Sequence, residues 1–269
     1  DEQVNILDEE LSRYPDAVGI ASIDSAACSV QFDLATANGI PIISLDSGNE
    51  YKGIQCIVKT DNEDAARTGA YKLANEIGDE GQVILVVHDS NSETAKERAK
   101  SFEEEIKNNY PSVSIVETIY CDKLDDLKKK IAVEKDPNIS EDLQKAAVEK
   151  MTDDEVMQYY LEKYPDLKGV FGTNESSTIF ALEALQKTEL AGKVALVGFD
   201  ISEEQTAAIK NGEIAGLVVQ NPFGMGYASV VAAARTVLQS GNEAVVDTGY
   251  IWVTKDNLED ESIQNMLYK

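Results

Sequence analysis

The sequence predicts an α/β fold with two similar lobes, each a parallel sheet with helices on both faces. First, the segment at residues 14–20 (YPDAVGI) is repeated in similar form at residues 164–170 (YPDLKGV). Second, each copy precedes a helix-like stretch and an apolar strand that ends in Asp, at residues 40–46 and 194–200. Third, strand-length apolar runs alternate with helical runs along nearly the whole chain, as in parallel sheets. Tyr-Pro-Asp is also a common helix stop, but the matching order of elements favours duplication.

Composition limits the classes of partner. The chain has 269 residues, enough for one or two domains with a sizeable core. It carries 24 basic and 49 acidic residues, a net charge of −25 that repels phosphate backbones, so we expect no nucleic-acid partner. No run of 18 apolar residues occurs, which predicts no membrane span.

The elements of the first half follow from periodicity and flanking residues. The predicted helices are 1–14, 26–38, 61–77 and 92–109, and the predicted strands are 17–23, 40–45, 54–58, 82–88 and 113–120. The run at 82–88 (QVILVVH) is continuously apolar, as expected for a strand covered on both faces. Thr60 or Asp61 is the predicted N-cap of the third helix.

The second half repeats the alternation after one interruption. Strands are predicted around Phe171 and at 194–199, 214–219 and 250–253, and a helix at 225–238. Between the halves, residues 123–160 are rich in Lys, Glu and Asp and have no strand signal. Ser140 and Thr152 are typical residues to begin two helices there. We therefore expect a helical insertion on the surface, with a partner-docking arm as the alternative.

Ligands of open parallel sheets lie beyond the carboxyl ends of the strands. The polar residues that follow the apolar runs are Asp24, Asp46, Asp61, Asp89, Asp122, Asn174, Asp200 and Gln220. Such carboxylates and amides suit the vicinal hydroxyls of a polyhydroxylated ligand, and Arg98 can place two donors on adjacent oxygens. An N-cap or turn role is at least as good an interpretation for Asp24, Asp61, Asp89 and Asp122.

Catalytic patterns are poor. His88 is the only histidine, and a lone histidine at a strand end is more often a hydrogen-bonded structural residue than a base. No nucleophile elbow, phosphate loop or zinc-protease motif occurs, and the three cysteines have no metal-type spacing. We predict no enzyme activity, no catalytic residue, no metal and no cofactor. An enzyme that acts on sugars is the weaker alternative.

Several motifs in this order carry a family resemblance. They lie at residues 39–46 (GIPIISLD), 60–62 (TDN), 97–102 (ERAKSF), 169–175 (GVFGTNE), 197–200 (VGFD) and 219–222 (VQNP). With them the chain resembles the periplasmic sugar-binding proteins of the type I fold, the ribose- and galactose-binding-like components of ABC transporters. The resemblance covers the chain except the insertion. It implies an N-terminal lobe of residues 1–60 plus 221–249 and a C-terminal lobe of residues 61–220 plus 250–269.

The resemblance also implies roles for individual residues. Asp46 is similar to the family's sugar-hydroxyl acceptor in the first lobe, and Gln220 to a polar residue at the hinge crossing. Arg98, Asn174 and Asp200 resemble the binders of the second lobe. The predicted ligand set is Asp46, Ser47, Arg98, Asp122, Asn174, Asp200 and Gln220. Ser47 stands where the family usually has Arg, which removes one fork-shaped donor and puts ribose itself in doubt.

The function implied is that of an extracytoplasmic solute-binding protein, in the periplasm or as a cell-surface lipoprotein. It captures a sugar in an interlobe cleft by hinge closure and delivers it to an ABC transporter permease. Members of the family usually begin with a strand, a helix and a second strand before the helix at residues 1–14. We therefore expect either an N-terminal truncation or another segment that fills the sheet. Contact with a membrane is expected only through a lost N-terminal anchor or through the permease. The alternative is a ligand-sensing domain of the same fold, either a sensor ectodomain or the effector domain of a repressor.

Overall fold

A computed structural model describes residues 2–24 and 26–264. Ten strands are present within that part of the chain. They are β1 Val18–Ile20, β2 Ile42–Leu45, β3 Ile54–Lys59, β4 Gly81–Val87, β5 Val113–Tyr120, β6 Leu167–Gly172, β7 Ala195–Phe199, β8 Gly216–Gln220, β9 Val245–Asp247 and β10 Tyr250–Val253. All but β9 lie where the sequence predicts a strand. Strand β9 was missed because it has three residues, two of them exposed.

Eleven helices accompany the strands in the same described ranges. They are α1 Glu2–Leu11, α2 Ser29–Ala37, α3 Asn62–Glu76, α4 Glu93–Asn109, α5 Leu124–Lys135, α6 Glu141–Lys150, α7 Asp153–Lys163, α8 Glu175–Lys187, α9 Glu203–Asn211, α10 Pro222–Val237 and α11 Glu261–Gln264. A 3₁₀ turn at Cys121–Lys123 precedes α5. None of the described helices is long and apolar enough to cross a membrane.

The chain divides into two compact units. Unit 1 comprises Asp1–Ala65, Asn91–Glu97 and Gln220–Tyr250, and unit 2 comprises Ala66–Ser90, Arg98–Val219 and Ile251–Lys269. One sheet has the strand order β1-β2-β3-β9 and belongs to unit 1. The other has the order β10-β8-β7-β6-β4-β5 and belongs to unit 2, apart from Gln220 and Tyr250. Two helix-flanked parallel sheets confirm the predicted fold class, whereas the predicted lobe boundaries stay a prediction.

In unit 1 the strand alternation directs side chains to two separate apolar clusters. Ile42 packs with Phe32 of α2 on one face of the sheet. Ile43, the next residue, packs with Val58 and with Met225 of α10. Because successive strand residues point to opposite faces, this arrangement requires helices on both sides of the sheet.

In unit 2, strand β4 is fully buried along its apolar run, from Val83 to Val87. It pairs in parallel with β5 on one side and β6 on the other. The continuous apolar run in the sequence therefore marks a strand with both neighbours in place and both faces covered, as predicted.

The segment between β5 and β6 is helical, but it is not only a surface insertion. Helix α6 has no buried residue. Helix α7 begins with a capping box between Thr152 and Glu155 and then buries Val156, Met157, Tyr160 and Leu161 in the core of unit 2. The surface expectation is wrong for α7, because its apolar residues recur at helical spacing on one face and so need a partner.

Candidate ligand-binding site

The two units end corresponding strands in the same way. Strand β2 is followed by Asp46 with φ 59°, and β7 is followed by Asp200 with φ 63°. Each residue donates its backbone N–H to the next strand, Asp46 to the carbonyl of Val58 and Asp200 to that of Val218, both at 2.9 Å. A left-handed conformation is uncommon for a residue with a side chain and is enriched where function fixes it. The repeat in the sequence thus corresponds to the same backbone conformation at one strand end in each unit.

In unit 2, Asn174 stands next to Asp200. Asn174 caps α8, because its Oδ1 accepts the Ser177 N–H at 2.9 Å and the Ser176 hydroxyl at 3.0 Å. The Oδ2 of Asp200 accepts the N–H of Glu175, the first residue of α8, at 3.1 Å. Both side chains line a cavity of about 530 Å³. The Asn174 amide and the Asp200 carboxylate are therefore both held in place on one side of the cavity, where they can bind neighbouring hydroxyls of one ligand.

Arg98 reaches the same strand ends from α4. Its side chain is only 2% exposed, and its Nη1 donates to the Thr173 carbonyl at 2.7 Å. Its guanidinium carbon lies 4.1 Å from the centroid of the Phe199 ring, a cation–π contact. Thr173 directly precedes Asn174, and Phe199 directly precedes Asp200. Arg98 is thus fixed against the neighbours of both binding candidates.

Stacked aromatic rings support this arrangement. Phe171 lies 4.3 Å from Phe102, ring centroid to ring centroid, and 5.9 Å from Phe199 with its ring edge-on. A Cβ on Gly69 of α3 would lie 2.4 Å from the Phe171 ring, so only glycine lets α3 approach this closely. Phe199, the ring beneath Arg98, is therefore held by packing and not by solvent-exposed contacts.

His88 is a structural residue beside this site. Its Nδ1 is 2.8 Å from the Thr173 hydroxyl, which also accepts the His88 backbone N–H at 3.1 Å. Burial first, and then the charge of Arg98, lower the pKa of His88 to about 4, although Asp200 and Asp122 act in the opposite direction. The imidazole is neutral at pH 7, which agrees with the predicted structural role. Asp122 accepts the Ser90 hydroxyl at 2.6 Å and is itself exposed.

The candidates of unit 1 lie on the loop after β2. Asp46 and Ser47 are both half-buried, and the Ser47 carbonyl accepts the buried Ser44 hydroxyl at 2.8 Å. Gln220, the last residue of β8, is also half-buried and is assigned to unit 1.

Asp24 and Asp61 have the turn and cap roles that the sequence offers as an alternative to ligand binding. Asp24 Oδ1 accepts the N–H groups of Ala26 and Ala27 at 2.8 and 3.0 Å, which is a turn role. Asp61 Oδ1 accepts the Asp64 N–H at 2.9 Å, which is a cap role.

Unit 2 brings Arg98, Asn174 and Asp200 together, whereas Asp122 lies in the turn after β5 and accepts a hydrogen bond from Ser90. Asp46, Ser47 and Gln220 belong to unit 1. As a ligand set these seven residues stay a prediction. The sequence did not predict the role of Thr173, which forms hydrogen bonds with both Arg98 and His88. The only sequence feature that marks Thr173 is a polar residue at an otherwise apolar strand end.

The described residues contain no cluster of three or more His, Cys, Asp or Glu side chains that could hold a metal ion. The site candidates of unit 2 offer carboxylate and amide oxygens as acceptors, and amide and guanidinium N–H groups as donors, with aromatic rings beneath them. Such a set is typical of a receptor for a neutral, hydroxyl-rich molecule.

A parallel α/β fold with polar ligand groups at its strand ends defines a class of small-molecule binding proteins, and comparison identifies the family. Residues 1–242 match the periplasmic binding protein domain, so the chain belongs to that family. Its similarity to the ribose import binding protein of Bacillus subtilis is 23% identity over 232 residues, 86% of this chain and 66% of that protein. Its similarity to a xylitol-binding protein of Mycolicibacterium smegmatis is 22% identity over 260 residues, 96% of this chain and 66% of that protein.

Solved structures of the same architecture are also similar. A carbohydrate transporter solute-binding protein from Agrobacterium radiobacter, in complex with D-arabinose, has a TM-score of 0.82 and 27% identity, and the match covers 99% of this chain and 83% of that one. A solute-binding protein from Agrobacterium vitis with bound α-D-tagatopyranose has a TM-score of 0.82 and 23% identity over 99% and 84% of the two chains. The chain spans 63–66% of the length of the first curated relatives it matches.

Proposed function

We propose that the protein is an extracytoplasmic solute-binding protein that captures a sugar or sugar-like molecule and delivers it to an ABC transporter permease. The observation that carries the proposal is the grouping of Arg98, Asn174 and Asp200 at neighbouring strand ends of unit 2. The printed names of the relatives, which include binding proteins for ribose, xylitol and apiose, support the ligand class.

The proposed ligand set comprises Asp46, Ser47 and Gln220 of unit 1 and Arg98, Asp122, Asn174 and Asp200 of unit 2. Asp46 and Asp200 act as acceptors for sugar hydroxyls. Asn174 donates through its amide, because its Oδ1 already accepts two bonds within the cap of α8. Arg98 supplies donors whose direction is fixed by Thr173 and Phe199. Acidic and amide groups in this combination select neutral polyols over anions.

The binding half of the proposal is tested by calorimetric titration with pentoses, hexoses and pentitols. We expect heat for at least one of these sugars. Asp200→Asn and Asp46→Asn should each weaken its affinity by about 10- to 100-fold, because a charged hydrogen bond contributes about 1.5–3 kcal/mol. Asp142→Asn on the exposed helix α6 is the matched control and should leave the affinity unchanged. Absence of heat with every sugar would contradict the proposal.

The delivery half is tested separately. The permease and the ATPase of an ABC transporter that imports the bound sugar are reconstituted in vesicles, and ATP hydrolysis is measured with and without the sugar-loaded protein. Stimulation by the loaded protein supports transport. Sugar binding without any stimulation would leave a receptor that does not deliver to that permease.

A further inference from the structure

The cavity beside Asn174 and Asp200 continues beyond the two proposed ligand groups. Its other lining residues all lie on the first three turns of α8: Glu175, Ser176, Ile179, Phe180 and Glu183. We propose that this extension is a subsite for the neutral substituent of a glycoside or the second ring of a disaccharide. The inference rests on the proposed function and deepens it, because it names the class of sugar.

The extension follows one face of α8. Ser176, Phe180 and Glu183 are separated by four and three residues, the spacing that places side chains in a row along a helix. From Asn174 to Glu183 the helix rises by about 13 Å at 1.5 Å per residue. The Asn174 and Asp200 side chains occupy only one end of this distance. The space has a volume of about 530 Å³ and is open to solvent along this face, so it is a groove on α8 rather than an enclosed pocket.

The middle of the row is apolar. Ile179 and Phe180 both line the cavity and are only half-exposed, and Phe180 also packs against the core cluster of unit 2. A ring held in this way is a fixed apolar surface, on which a second sugar ring or an aryl group can pack. Along the axis of α8, Phe180 lies about 9 Å from Asn174 at 1.5 Å per residue, so a substituent on a sugar at Asn174 and Asp200 can extend to this surface. The apolar wall therefore favours a ligand with a substituent.

The ends of the row are acidic. Glu175 and Asp200 lie at the inner end and Glu183 at the outer end. Carboxylates accept hydrogen bonds from hydroxyls and repel anions, so the substituent is neutral and a sugar phosphate is excluded. Lys187 lies one turn beyond Glu183. Its ammonium group donates a hydrogen bond to Asp154 and so does not neutralise the acidic groups of the row.

The test compares ligands that share one sugar ring. The sugars that give heat in the panel are titrated as free sugar, methyl glycoside, phenyl glycoside, disaccharide and phosphate. We expect the phenyl glycoside or the disaccharide to bind at least about tenfold more tightly than the free sugar, and the phosphate more weakly. Equal or weaker binding of every substituted sugar would overturn the subsite.

Variants separate this proposal from the function on which it rests. Phe180→Ala should remove most of the preference for the phenyl glycoside, Phe180→Leu should retain part of it, and Glu183→Gln should relieve the discrimination against the phosphate. Glu162→Gln on the exposed side of α7 is the control. If Phe180→Ala and Phe180→Leu both keep the full preference, the subsite is wrong while sugar binding stands. If neither free nor substituted sugars bind, both proposals fail.

Discussion

Unit 1 and unit 2 contain the same four-strand module. In sheet order, β1-β2-β3-β9 of unit 1 corresponds to β6-β7-β8-β10 of unit 2. The strands that end in Asp46 and Asp200 hold the second place in each module, and both residues have the same left-handed backbone and the same bond to the next strand. The module by itself is thus sufficient to present a carboxylate at a strand end.

The difference lies outside the module. Unit 2 adds β4 and β5 beyond β6, residues 98–109 of α4 and the helices α5–α7, whereas the described sheet of unit 1 ends at β1. Arg98 and Phe102 come from α4 and His88 follows β4, so the cation, one ring of the aromatic stack and the imidazole belong to the added part. The other two rings, Phe171 and Phe199, lie on β6 and β7 of the module. The repeated module therefore supplies the strand-end carboxylates, the Asn174 amide and two of the three stacked rings, and the added part supplies the cation that lies against them.

The largest expected effect comes from removing the aromatic support that unit 1 does not share. Phe171→Ala should lower the free energy of unfolding by about 3–5 kcal/mol, since Phe171 is fully buried between Phe102 and Phe199. Urea unfolding followed by the fluorescence of Trp252, the single tryptophan, reports on unit 2. Phe223→Ala on the 82% exposed Phe223 of unit 1 is the control and should change little. A near-neutral Phe171→Ala would contradict the support role.

A smaller effect is expected at Gly198, which is the counterpart of Ser44 when Asp200 is aligned with Asp46. A Cβ at Gly198 would lie 2.2 Å from the Thr178 hydroxyl oxygen. Gly198→Ala should therefore cost about 1–3 kcal/mol, and Thr178→Ala in the same chain should restore part of it. Ser44→Ala should cost about 1 kcal/mol, for a different reason: loss of the bond to the Ser47 carbonyl. Thermal unfolding measures both. Failure of Thr178→Ala to rescue would show that crowding is not the cause.

The contribution of histidine to the pH dependence of stability should come from unit 2, which contains the only histidine of the sequence. The pKa of His88 is lowered from 6.5 to about 4 in the folded protein, so between these values the unfolded chain binds more protons. Stability should therefore fall as pH decreases from 6.5 towards 4, by at most about 1.4 kcal/mol per pH unit from this residue. His88→Gln should flatten this part of the profile in urea titrations. An unchanged slope in the variant would assign the effect to carboxylates.

The smallest effect on stability is expected on the exposed face of α10 in unit 1. Phe223, Tyr227 and Val230 lie one helical turn apart and are 82%, 68% and 70% exposed. Tyr227→Ser and Val230→Ser should each change the free energy of unfolding by no more than about 0.5 kcal/mol while reducing the binding of an apolar fluorescent dye. Unchanged dye fluorescence would place the apolar surface elsewhere.

The sequence by itself determined the order of the elements, the duplication and the strand-end acceptors, because periodicity and strand-end chemistry are local properties. The run at residues 82–88 was sufficient to identify a strand covered on both faces, and the repeated segment was sufficient to pair Asp46 with Asp200. The predicted family followed from motifs of the same local kind.

Only the tertiary structure decided which of those residues meet. Thr173 holds Arg98 and His88, which lie 75 and 85 residues away along the chain, and Phe199 comes to lie beneath the guanidinium of Arg98. Strand β9 joins its sheet by pairing with β3, from which most of the chain separates it. Helix α7 is partly buried because its apolar face packs against the core of unit 2. These are contacts between segments distant in sequence, and their stability depends on packing that no local pattern records.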